Sequence, residues 1–90
     1  MLELHATFRG KVQGVGFRWT VAGYAELHGI AGTVKNLEDG DVEVYAVGPK
    51  EKLESFVTAI QNHSGVAEVK SVKTEYKEAE RTYTNFEIIF

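Results

Sequence analysis

The sequence predicts an α+β fold: a mainly antiparallel sheet with two helices packed on one of its faces. Three observations predict it. Residues 2–9 alternate strictly between apolar and polar, the period of a strand with one buried face. Leu53, Phe56, Val57 and Ile60 recur at the spacing of an amphipathic helix. Between and around these two signals the remaining segments read in the order strand, helix, strand, strand, helix, strand, with one extra strand at the end. At 90 residues the chain has room for one domain, 1–90, and one modest core.

The first strand places Leu2, Leu4, Ala6 and Phe8 on one side and Glu3, His5, Thr7 and Arg9 on the other, and Val12 extends the apolar side. Phe17 to His28 reads as a helix, with Phe17, Val21, Tyr24, Ala25 and His28 on one face and Gly29 as its C-terminal stop. Gly23, mid-helix, costs about 1 kcal/mol against alanine. Ile30–Leu37 and Asp41–Val47 are strands joined by Asp39-Gly40, a strong hairpin signal. Gly48 ends the second of them, and Pro49 suits the first position of the next helix. Gly65 closes the connection after that helix. Val66–Tyr76 is strand-like but uneven: Val69 and Val72 are three apart, which predicts a bulge or local twist between them. Lys77–Tyr83 is a polar connection, and Phe86, Ile88 and Phe90 alternate as a short last strand. Two βαβ-like halves joined by a hairpin make the split arrangement of a ferredoxin-like sandwich. The sequence leaves open which of the last two strands pairs with the first.

Composition removes several classes of function. There is no cysteine, so disulfides and thiolate chemistry are excluded, and none of the three histidines has metal-ligand spacing. Neither a metal nor another cofactor is expected. No apolar run is long enough to span a membrane, and the N-terminus does not read as a signal peptide. The expectation is a cytoplasmic monomer without a membrane partner. A net charge of −3 argues against a dedicated nucleic-acid binder. Arg9, Lys11 and Arg18 nevertheless cluster in sequence, which predicts a locally positive mouth suited to a small anion.

That cluster surrounds Val12-Gln13-Gly14-Val15-Gly16-Phe17-Arg18. The segment joins a strand pattern to a helix pattern through two glycines spaced by one residue. Such a loop can turn successive N–H groups inward as an anion-binding nest. The following helix aims its free N–H groups and positive dipole end at the same point. Arg18 would add a planar fork of donors suited to phosphate or carboxylate. The same residues also fit a tight strand-to-helix connection with Arg18 solvated. Gln13 is expected to hold the loop through backbone bonds, and Trp19 to pack on the core. His5 and Glu43 are expected to be solvated.

Gly10-Lys11-Val12-Gln13-Gly14-Val15-Gly16-Phe17-Arg18 resembles the signature of the acylphosphatase family. So does Gly32-Thr33-Val34-Lys35-Asn36, with Asp39-Gly40 and Val42-Glu43 following it. The resemblance covers the whole chain. It implies a free-standing hydrolase of acyl phosphates, in which Arg18 and the amides of Val15, Gly16, Phe17 and Arg18 bind the substrate phosphate. Asn36 would orient the attacking water, and inorganic phosphate or sulfate would compete as anions. The alternatives are a carbamoyl-phosphate-directed enzyme, or a non-catalytic module binding an anion or RNA on the same fold. Two departures stand out: Thr33 lies where an aromatic residue is common, and Ser64-Gly65 where prolines are common.

The chemistry of an acyl phosphate suits these residue types. Its leaving group is a carboxylate with a conjugate-acid pKa of about 4, so it departs as an anion without a general acid. Phosphoryl transfer through a loose transition state asks the protein mainly for positioning and charge stabilisation.

Overall fold

The computed structural model describes all residues from Met1 to Phe90. Its elements are β1 (Leu2–Lys11), α1 (Phe17–His28), β2 (Ala31–Asn36), β3 (Val42–Gly48), α2 (Lys50–Asn62), β4 (Glu68–Glu78) and β5 (Phe86–Ile89). The expected elements are all present. Pro49 sits one place earlier than expected: it is the N-cap with ψ 144°, and its carbonyl accepts the first bond of α2 from Leu53 N–H at 3.1 Å. A residue outside the helix keeps extended ψ, and proline tolerates that as well as it tolerates the first turn.

The five strands form one sheet in the order β4-β1-β3-β2-β5. The β1–β3, β1–β4 and β2–β3 pairs are antiparallel, and β5 adds parallel to β2 at the edge. It is therefore β4 that pairs with β1, while β5 extends the opposite side. The register explains the uneven valines of β4. Arg9 pairs with Ser71 but Gly10 pairs with Val69, leaving Lys70 as an extra residue. This bulge lets Val72 and Val69 both pack against the core despite their spacing. Gly10 makes it possible, because a Cβ there would lie 2.1 Å from the Glu68 carbonyl oxygen.

Strand alternation sends Leu4, Ala6, Phe8, Val34, Val42, Val44 and Ala46 to one face, where they meet Phe17, Val21 and Ala25 of α1 and Leu53, Phe56, Val57 and Ile60 of α2. Phe8 meets Phe17 edge-on, with ring centres 5.5 Å apart. Tyr24 and His28 complete the predicted face of α1 as half-buried residues. Tyr24 hydroxyl donates to His63 O, and His28 Nδ1–H donates to Tyr24 O.

The other face of the sheet departs from the expectation of simple solvation. Glu3 is only 2% exposed. His5 donates from Nε2 to Glu43 at 2.9 Å and stacks on Tyr45 with ring centres 4.5 Å apart. The connection after β4 returns over this face and places the Arg81 guanidinium 5.1 Å from the Tyr45 ring centre. Burial, followed by the Glu43 carboxylate, raises the pKa of the Tyr45 phenol.

Candidate active site

The C-terminal end of β1, the end of β2, the start of β3 and the end of β5 lie at one edge of the sheet. Phe8 pairs with Val42, Val42 with Asn36, and Lys35 with Ile89. The glycine loop leaves β1 at this edge and enters α1. Gly14 and Gly16 adopt φ 75° and 76°, left-handed values that residues with a side chain avoid. Gly16 is the N-cap of α1, and no side chain bonds the orphan amides of the first turn. Thr20 is the first helical residue whose N–H is used, donating to Gly16 O at 3.2 Å. The N–H groups of Val15, Gly16, Phe17 and Arg18 have no acceptor in the protein. The first turn also carries no acidic residue that would repel an anion.

Gln13 fixes this loop to the β2–β3 turn. Its Nε2 donates to Leu37 O at 2.8 Å and to Asp41 O at 2.9 Å. The turn is itself closed by Leu37 N–H on Asp41 O, Gly40 N–H on Leu37 O, and Asp41 N–H on the Asp39 carboxylate. The backbone role expected of Gln13 is therefore present, and it brings the loop beside the strand end that carries Asn36. Gln13→Glu keeps the size but cannot donate. It should lower stability by about 1–3 kcal/mol, more than Gln13→Ala, whose two abandoned carbonyls keep their backbone donors. Urea denaturation of the three proteins checks this order.

Asn36 follows Val34 by two residues and so shares the face on which α1 begins. Its Oδ1 is buried and has no hydrogen-bond partner. Arg18 is half-buried. Its Nη1 donates to Ile89 O at 3.2 Å, and the guanidinium lies 4.7 Å from the centre of the Phe90 ring. Since Ile89 pairs with Lys35, the end of β5 seats the Arg18 side chain next to the end of β2. One of five guanidinium donors is used in this contact. The structure thus brings together Val15, Gly16, Phe17, Arg18 and Asn36.

Two neighbours fall elsewhere. Arg9 alternates to the open face of the sheet and lies 3.6 Å from the Asp41 carboxylate, so it does not join Arg18 in a positive mouth. Trp19 does not pack on the core; it is 67% exposed on α1. Its neighbours Phe17 and Val21 already occupy the inward face, which leaves position 19 on the outer side of the helix. Residues that sequence reasoning missed are Ile89 and Phe90, whose roles depend on β5 docking beside β2. The departure at Thr33 lies on the open face opposite Tyr45, away from the loop.

Comparison with known proteins bears on the family and the fold. The family model described as acylphosphatase matches residues 4–88. An acylphosphatase of Bacillus velezensis is 41% identical over 90 residues, covering all of both chains. One of Archaeoglobus fulgidus is 40% identical, again over all of both. The crystal structure of acylphosphatase from Bacillus subtilis superposes with a TM-score of 0.95 at 38% identity, covering all of each chain. The chain belongs to the acylphosphatase family, hydrolases that act on acid anhydrides.

Proposed function

We propose that the loop from Val15 to Arg18 is the substrate's phosphate cradle and that Asn36 holds the attacking water. The observation that carries this reading is the buried, unpartnered Asn36 Oδ1 at the same sheet end as a run of unused amides. The amides of Val15, Gly16, Phe17 and Arg18 and the remaining donors of the Arg18 guanidinium take the nonbridging phosphate oxygens. Hydrogen bonds of this charge-assisted kind are worth about 1.5–3 kcal/mol each. Asn36 Oδ1 accepts one proton of a water and points its oxygen at phosphorus. As the water oxygen bonds to phosphorus, the bond from phosphorus to the acyl oxygen breaks. The carboxylate leaves with its electron pair, and the water's proton passes to a phosphate oxygen. The products are a carboxylate and inorganic phosphate. No residue need act as general acid or strong base. The reading needs no metal ion and takes the working form to be a cytoplasmic monomer.

The test is hydrolysis of benzoyl phosphate with a chelator present, with inorganic phosphate and then sulfate added as inhibitors. Turnover with competitive inhibition by both anions is expected, because each fills the cradle that substrate needs. Noncompetitive inhibition would move the anion site away from the loop, and loss of turnover to the chelator would overturn the metal-free mechanism.

A further inference from the structure

A second group of charged residues lies on the open face of the sheet, on the side away from α1, α2 and the glycine loop. Strand alternation and register bring Glu3 and His5 of β1, Tyr45 of β3, and Glu75 and Lys77 of β4 onto this face. With Arg81 they line a cavity of about 310 Å³. That volume is at the small end of those that hold organic ligands.

Glu3 is the residue that its surroundings do not satisfy. It is 2% exposed, it contributes to the cavity wall, and its Oε1 is buried without a hydrogen-bond partner. A buried carboxylate oxygen without a donor is destabilising, and a donor supplied from outside would relieve it. No side chain nearby bonds Glu3. Lys77 Nζ lies 4.0 Å from the Glu80 carboxylate. Arg81 donates to the Tyr83 hydroxyl at 3.5 Å and covers the Tyr45 ring. His5 gives its Nε2–H to Glu43, and its Nδ1 lies 3.6 Å from Glu75.

The charges of the lining select among ligands. Lys77 and Arg81 disfavour a simple cation, and Glu3 with Glu75 disfavour a simple anion. The carboxylates and histidine are not grouped to hold a metal ion. A molecule with a cationic donor at one end and an anionic acceptor at the other meets both halves. The His5 and Tyr45 rings, stacked on each other and inclined by only 9°, add apolar surface beside the carbons between. We propose that this cavity binds a free α-amino acid, with its ammonium donating to Glu3 and its carboxylate against Arg81.

The experiment is a titration of the ¹⁵N-labelled protein with glycine, L-alanine and L-phenylalanine, following backbone amide shifts. Methylamine and acetate are titrated separately as the two halves of the ligand. At least one amino acid should give saturable shifts confined to β1, β3, β4 and residue 81. A Kd of about a millimolar is expected for so few atoms. Glu3→Gln and Arg81→Ala should each weaken this binding about tenfold, the loss of one charge-assisted contact. Both should keep their amide dispersion and their hydrolysis of benzoyl phosphate, which shows that the fold and the glycine-loop site are intact. Absence of saturable shifts for all three amino acids would overturn the proposal. So would unchanged affinity in both variants. Methylamine binding as tightly as the amino acids would overturn the zwitterion and leave an ammonium site alone.

Discussion

Arg18→Gln should lower kcat/KM for benzoyl phosphate by about 10³-fold, the loss expected when a donor aimed at developing negative charge is removed. Inhibition by inorganic phosphate should weaken with it, since ground-state phosphate and transition state share this grip. The fold should survive. Arg18 is half-buried, and its one hydrogen bond, to Ile89 O, is exposed, so the far-ultraviolet circular dichroism and the urea midpoint should barely move. Arg18→Lys should recover little of the rate. An ammonium is a point charge that can neither form two parallel bonds to a phosphate nor lie flat on the Phe90 ring. Full phosphate affinity in Arg18→Gln would remove the arginine from the cradle.

Asn36→Ala should separate binding from chemistry. The amides of Val15–Arg18 and the guanidinium remain, so KM and phosphate inhibition should stay near their original values. Without Oδ1 to aim the water, kcat should fall by about 10²–10³-fold. Stability should move in the opposite direction from activity. Asn36 Oδ1 is buried without a partner, so its removal relieves a desolvation cost of about 1–3 kcal/mol and offsets the lost packing. The urea midpoint of Asn36→Ala should therefore match or exceed that of the original protein. A large fall in stability, or an unchanged kcat, would show that the amide serves the fold and not the water.

Much of the architecture could be read from local patterns. The alternation of Leu4, Ala6 and Phe8 fixes the inward face of β1, and the spacing of Leu53, Phe56, Val57 and Ile60 fixes that of α2. Even the irregular step from Val69 to Val72 became a bulge at Lys70, because a strand that buries two residues three apart needs one extra residue between them. The glycine loop was legible for a similar reason: positive φ at Gly14 and Gly16 is a local requirement with a local sequence mark.

What stayed hidden depends on segments far apart in sequence meeting in space. Glu3 obeys the outward alternation of its strand, yet it is buried, on the face where the connection that carries Arg81 meets Tyr45. Arg9 is taken up by Asp41, a residue across the sheet. Trp19 has the composition of a core residue, but the helix has a finite inward face and Phe17 and Val21 fill it. Asn36 carries no local sign of chemistry. Its pairing with the loop depends on Gln13 reaching Leu37 and Asp41, and sequence pointed to it only through the family resemblance.

The strand order also bears on how the protein reaches its working state. The interior strand β1 pairs on one side with β4, which begins more than half the chain away, and β5 closes the opposite side of the sheet last in sequence. Pairings of this range require large loops to close before they return any stabilising contact, so folding should be slow for a chain of this size. Arg18 belongs to the first helix, but the carbonyl that seats it lies 71 residues further on. A partly folded chain can therefore possess its glycine loop and first helix while its arginine is still unplaced. If Arg18 grips the phosphate as proposed, catalytic competence is then a property of the finished molecule, acquired when the last strand docks.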